Sequence, residues 1–318
     1  MDASPAAPAT RSAAAPLAPR LGVEIETVGR TREHVARAIL AVVGGQIAMS
    51  SAYEMVVVDP RGRRWACVHD GSLSQAAHAE IVTPILTEAD LPELQDVVRA
   101  VRACGAQVDR STGIHIHIDG APFDGRAVKN LLKIWNKQED LIFHAFRVSP
   151  ERRARYCREN DPGFIARLER ARPTSKEALN TVWYGGRSSG RQHQRYDSSR
   201  YHAVNLHSLF YRGTIEFRLF EGTLRGDEVK AYVQFVLALA KKALSARAAS
   251  SRKRAFNPDT AKYDFRVFLL HLGFIGDEYK QTREILTKHL RGSAAWKNGR
   301  PSRATPTDST GPSSDRAA

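Results

Sequence analysis

The chain has 318 residues, 42% of them hydrophobic and 26% charged, with three cysteines and a formal net charge of +14. This is ordinary globular composition, so one domain with additions is expected. No apolar run is long enough to span a membrane, the N-terminus lacks a secretory signal, and Cys67, Cys104 and Cys157 form no CxxC pair, which together favour reduced thiols in the cytoplasm.

Residues 1–19 are rich in Ala and Pro and are expected to be disordered. Residues 20–27 read as a strand, and 31–43 as a helix with Thr31 as a candidate N-cap and Gly44-Gly45 at its end. Residues 53–59 and 64–68 flank Pro60-Arg61-Gly62 and read as a hairpin. His69-Asp70-Gly71-Ser72-Leu73 carries an Asp-Gly turn signal, and the Glu80 segment reads as a strand ending at Pro84. Residues 90–104 form an amphipathic helix, with Leu91, Leu94, Val97, Val98 and Val101 on one face. A strand containing His115 and His117 follows, then a helix over 128–146.

Residues 151–180 read as helical in pieces, and 185–193 as a flexible Gly/Ser loop. Residues 201–210 and 214–219 read as paired strands joined by a tight turn at Tyr211-Arg212-Gly213. Residues 226–249 form a helix, and 261–290 two more, broken near 273–276. Residues 292–318 read as a disordered tail, leaving a compact domain over 20–291.

The positive charge is uneven. Between Arg147 and Arg200 there are thirteen basic residues and six acidic ones, an excess of seven. Such a segment suits an anionic partner: a nucleotide, a nucleic acid or an acidic peptide. Few aromatic residues interleave with these arginines, which speaks against a nucleic-acid stacking platform.

Three stretches share one form: Gly22-Val23-Glu24-Ile25-Glu26, Gly113-Ile114-His115-Ile116-His117-Ile118 and Thr214-Ile215-Glu216-Phe217-Arg218-Leu219. In a strand, successive side chains point to opposite faces, so each stretch separates its apolar residues from its ionisable ones. If the three share a sheet, its polar face carries Glu24, Glu26, His115, His117, Glu216 and Arg218. Such a face is costly unless its charge is compensated, and a divalent cation is the simplest compensation. Glu80 is placed to join the set. Arg218 and Arg225 are candidate planar donors for a phosphate or a developing oxyanion, and Arg191, Arg195 and Arg200 are candidate phosphate clamps.

With Asp70-Gly71-Ser72, Glu80-Ile81-Val82-Thr83-Pro84, Arg200-Tyr201 and Val204-Asn205-Leu206 added in order, the chain from about residue 21 to 225 resembles the amidoligases. These are carboxylate–amine ligases of the glutamine synthetase and glutamate–cysteine ligase superfamily. The resemblance implies an α+β, glutamine synthetase-like catalytic domain: a curved, mainly antiparallel sheet with flanking helices. It implies ATP with Mg²⁺ or Mn²⁺. Glu24, Glu26, Glu80, His115 and Glu216 fall at metal-ligand positions. His117, Arg200, Asn205 and Arg218 fall on the nucleotide side, and Asp70 is either a turn residue or a contact to the amine.

The implied reaction forms an amide or isopeptide bond through an acyl phosphate, from a carboxylate and an amine that are small molecules or parts of a peptide. Two other readings remain: a guanidino-kinase-like phosphotransferase and a metal-dependent nuclease or hydrolase. Neither the substrates nor the oligomeric state follows from the sequence.

Overall fold

Alternation along the strands decides which face of the sheet is dry. The computed structural model describes residues 19–186 and 190–298. Of the ends expected to be disordered, residues 1–18 and 299–318 lie outside this range, as do residues 187–189 of the Gly/Ser loop. The strands are β1 (Leu21–Val28), β2 (Gln46–Ser50), β3 (Glu54–Val58), β4 (Arg64–Val68), β5 (His78–Val82), β6 (Gly113–Asp119), β7 (Val204–Asn205) and β8 (Thr214–Glu221). They form one open sheet in the order β2-β3-β4-β5-β1-β6-β8-β7, with every neighbouring pair antiparallel.

Four helices form the main packing layer: α1 (Arg32–Val43), α2 (Leu91–Ala103), α3 (Gly125–Ala145) and α8 (Gly226–Ser245). Thr31 caps α1 by accepting the His34 N–H, and Asp124 caps α3 by accepting the Ala127 N–H. Val23 and Ile25, Ile114, Ile116 and Ile118, and Ile215, Phe217 and Leu219 are all buried in one hydrophobic cluster. Trp135 of α3 meets Phe217 edge-on, with ring centroids 5.8 Å apart. The short helices α4 (Pro150–Arg155), α5 (Pro162–Ala171) and α6 (Lys176–Trp183) follow α3, while α9 (Ala261–His271) and α10 (Lys280–Thr287) follow α8.

The register of β8 against β6 contains a bulge: Ile116 faces Phe217, yet Ile114 faces Phe220. The extra residue returns Phe220 to the dry side, where it is fully buried, and turns Glu221 toward the opposite face. Without it, strict alternation would have placed Phe220 beside the carboxylates.

Residues 201–210 are not the strand expected. Only Val204 and Asn205 pair with β8, and the chain then turns into a one-and-a-half-turn helix, α7 (His207–Arg212). The Asn205 side-chain oxygen accepts the Ser208 N–H and supports that turn. Gly213, in the left-handed region at φ 80°, closes the helix. Thus Tyr211-Arg212-Gly213 is a helix end and not a hairpin turn. The edge strand β2 went unread because Gln46–Ser50 is mostly exposed and lacks apolar alternation. No helix among the described residues is long and apolar enough to cross a membrane.

Candidate active site

The face opposite the helices collects the ionisable side chains row by row. Register sets Glu26 of β1 beside Glu80 of β5, Glu24 beside His115 of β6, and His117 beside Glu216 of β8, with Asn205 of β7 next in line. Glu24 lies 3.1 Å from His115 Nδ1 and 3.4 Å from His117 Nε2. Glu216 accepts hydrogen bonds from Asn205 Nδ2 at 2.6 Å and from Arg218. Glu26 accepts the Gly113 N–H at 2.6 Å.

Three groups of possible ligand atoms each lie within 4.8 Å of one another: Glu24/Glu80/His115, Glu24/His117/Glu216 and Glu26/Asp70/Glu80. Glu24 and Glu80 each belong to two groups, so the three form one continuous cage.

The charge states show how strained this cage is as a set of free side chains. Burial, and then the neighbouring Glu24, Glu26 and Asp70, push the Glu80 carboxyl up to about 9. Burial also raises Glu26, against the pull of His115 and Arg152. Glu216 goes the other way: burial works against ionisation, but Arg218, His117 and His115 outweigh it and hold the carboxyl at about 2. His117 is raised, because Glu216 and Glu24 overcome the effect of its burial.

His117 Nε2 is buried without a hydrogen-bond partner among the described residues. An orphaned imidazole nitrogen beside crowded carboxylates is a donor set suited to hard divalent cations. Glu24, Glu26, Glu80, His115, His117 and Glu216 would hold them, with Asp70 at the margin. His117 thus sits among the candidate ligands, grouped with Glu24 and Glu216. Asp70 is the turn residue expected, its carboxylate accepting the Ser72 N–H at 2.8 Å, and it also lies within 4.8 Å of the Glu26 and Glu80 carboxylates.

Above the cage is a cavity of about 520 Å³. Its lining includes Arg195, Arg200, Asn205 and Arg218, all singled out in the sequence, and also Arg152, Tyr201 and Arg212. Arg152 is 4% exposed and donates to the carbonyls of Thr112 and Arg218 at 3.3 and 3.1 Å. It lies so close to Gly113 that a Cβ there would collide with its guanidinium. Nothing in the basic run around it distinguished Arg152 from its solvated neighbours. Arg212, read as a turn residue, lies 3.7 Å from Glu24.

The structure does not bring Arg225 to this cavity. It is the N-cap residue of α8, exposed, and paired with Asp227 and Glu228 at 3.2 and 3.1 Å. Arg191 is likewise engaged, through two 2.8 Å bonds to Asp197.

A family model described as "Putative amidoligase enzyme" matches residues 18–240, a span that contains every residue of the cage and the cavity lining. No curated protein matches the chain.

Proposed function

The chain belongs to the amidoligase family, and from that premise we propose that it is an ATP-dependent carboxylate–amine ligase that forms its amide or isopeptide bond through an acyl phosphate. The observation that carries this reading is the cage itself: buried carboxylates and imidazoles on one sheet face, with Arg218 bonded to Glu216 at the edge of an open cavity.

Mg²⁺ or Mn²⁺ held by the cage would offset negative charge on the nucleotide phosphates. The chain's own residues do the rest. Arg218, fixed by Glu216 and by the Tyr156 carbonyl at 3.4 Å, presents a planar donor to the transferring phosphoryl group. Arg200 supports the nucleotide from the wall. Asn205 holds the second oxygen of Glu216 and so fixes that carboxylate's orientation. Arg152 places positive charge under the floor and ties Thr112 to the Arg218 backbone. Asp70 stands where an incoming amine would lose its proton. Buried Cys67 and Cys157, whose thiols burial pushes up to about 12 and about 11, are inert and suit a reducing cytoplasm.

The reading is tested by trapping. Hydroxylamine offered with Mg·ATP and a panel of carboxylates should give a hydroxamate, with ADP and phosphate released together. Carboxylate-dependent ATP turnover that never yields a hydroxamate or amide would favour the phosphotransferase. Metal-dependent nucleic-acid cleavage without ATP would favour the nuclease.

A further inference from the structure

Nine large apolar residues are exposed among the described residues; three of them line the cavity and a fourth lies beside its lining. Single exposed apolar residues are normal, but a gathering needs a cause. Tyr156, Tyr196 and Tyr211 are 37%, 70% and 39% exposed, and all three line the cavity. Tyr53, 73% exposed, meets His69 edge-on at 6.2 Å, and His69 also lines the cavity. Between the tyrosines stand Arg195 and Arg200, whose guanidinium carbons lie 5.3 and 5.8 Å from the centre of the Tyr196 ring. Neither forms an ion pair among the described residues, although Arg191, a few positions away, is paired with Asp197. Tyrosine and arginine are the side chains that dominate recognition of other chains.

The span of these groups bears on what they recognise. His69 follows β4, and Tyr211 lies on α7, directly after β7. The sheet order places five inter-strand steps between β4 and β7. At the usual strand spacing that is roughly 24 Å between the two strands, the reach of about seven extended residues, while α7 folds back over the cavity with Arg212 3.7 Å from Glu24 of β1. His69 is held by His78 at 2.8 Å, and Tyr53 beside it lies beyond the cavity lining, where a nucleotide against the arginine wall would leave it uncovered.

Accepting the ligase reading above, we propose that the carboxylate substrate is carried by an acidic polypeptide. It lies across the cavity mouth on the tyrosines, sets a flanking carboxylate against Arg195, and inserts one carboxyl group toward the cage.

The test uses the full chain with Mg·ADP and four probes: a fluorescein-labelled decapeptide of alternating Glu and Ala, its Lys–Ala counterpart, free glutamate, and a labelled oligothymidine. The acidic peptide should bind at least about tenfold more tightly than the other three. The double variant Tyr53→Ser/Tyr196→Ser should weaken the acidic peptide by a similar factor while Mg·ADP affinity and melting temperature stay unchanged. If that variant melts lower than the parent, Tyr53→Ser alone serves, with the same expectation. Glutamate binding as tightly as the peptide, an oligothymidine binding more tightly, or variants that hold the peptide as well as the parent would each overturn the proposal. A parent chain that binds the acidic peptide but not Mg·ADP would remove the ligase reading and leave the peptide surface standing.

Discussion

Glu216 and Arg218 share a buried ion pair, yet they have separable tasks. Glu216 is 3% exposed and is bonded on both oxygens, by Arg218 and Asn205. Glu216→Gln keeps an acceptor for Arg218 and removes one anionic ligand from the cage. Mn²⁺ affinity, read by calorimetry, should fall by about tenfold or more, with far-UV circular dichroism unchanged. An undiminished Mn²⁺ affinity would make Glu216 a purely structural partner of Arg218. Arg218→Lys keeps the charge and loses the planar fork. Mn²⁺ binding should survive, while carboxylate-dependent ATP turnover drops by about two orders of magnitude, as for loss of a transition-state donor. Equal loss of both would mean that Arg218 only holds the cage together.

Helix α3 carries a second buried carboxylate, away from the cage. Glu139 is fully buried and accepts from Trp135 Nε1 and the Asn160 N–H, with Lys253 at 3.5 Å. Burial, opposed by the Asn160 N–H and Lys253, raises its carboxyl from 4.5 to about 7. The folded chain therefore holds this proton where the unfolded chain releases it. The resulting stabilisation is full below pH 4.5 and fades as pH rises toward 7. In urea titrations at pH 5 and pH 8, the stability of Glu139→Gln relative to the parent should improve by about 2 kcal/mol at the higher pH. A pH-independent difference would show that Glu139 is ionised throughout. The elements that position the cage were legible for a simple reason: in β1, β6 and β8, Glu24, His115, His117, Glu216 and Arg218 each sit between buried apolar residues, so the period of two stands out there. The β7–α7 segment was not legible. Its apolar residues suit a strand as well as a helix, and the choice rests on the hydrogen bond from Ser208 N–H to Asn205. Arg152 was hidden because only three-dimensional packing against Gly113 separates it from Arg153 and Arg155. Arg225 misled because closeness in sequence to β8 ends, after one short turn, at the outer end of α8.

For the whole molecule, the cage joins parts of the chain that are far apart in sequence. Its carboxylates and imidazoles come from β1, the β4–β5 turn, β5, β6 and β8, from Glu24 to Glu216. An unfolded chain cannot present these ligands together, so a cation that binds the cage binds the folded state selectively. Saturation at 100 times Kd then adds about 2.7 kcal/mol to stability, which for a chain of this size corresponds to a rise in Tm of about 5 °C. Burial, and then the neighbouring carboxylates, raise Glu80 to about 9, and a cation in the cage would offset the second of these. Glu24 belongs to two of the three ligand groups, so Glu24→Gln should abolish most of the Mn²⁺-induced rise. Glu93→Gln is the matched control: it removes a carboxylate from the Arg61 and Arg63 network outside the cage and should leave the rise intact. If Mn²⁺ raised Tm equally in the parent and in Glu24→Gln, the cation would be binding elsewhere, and the sheet face would be held together by His115, His117 and the arginines alone.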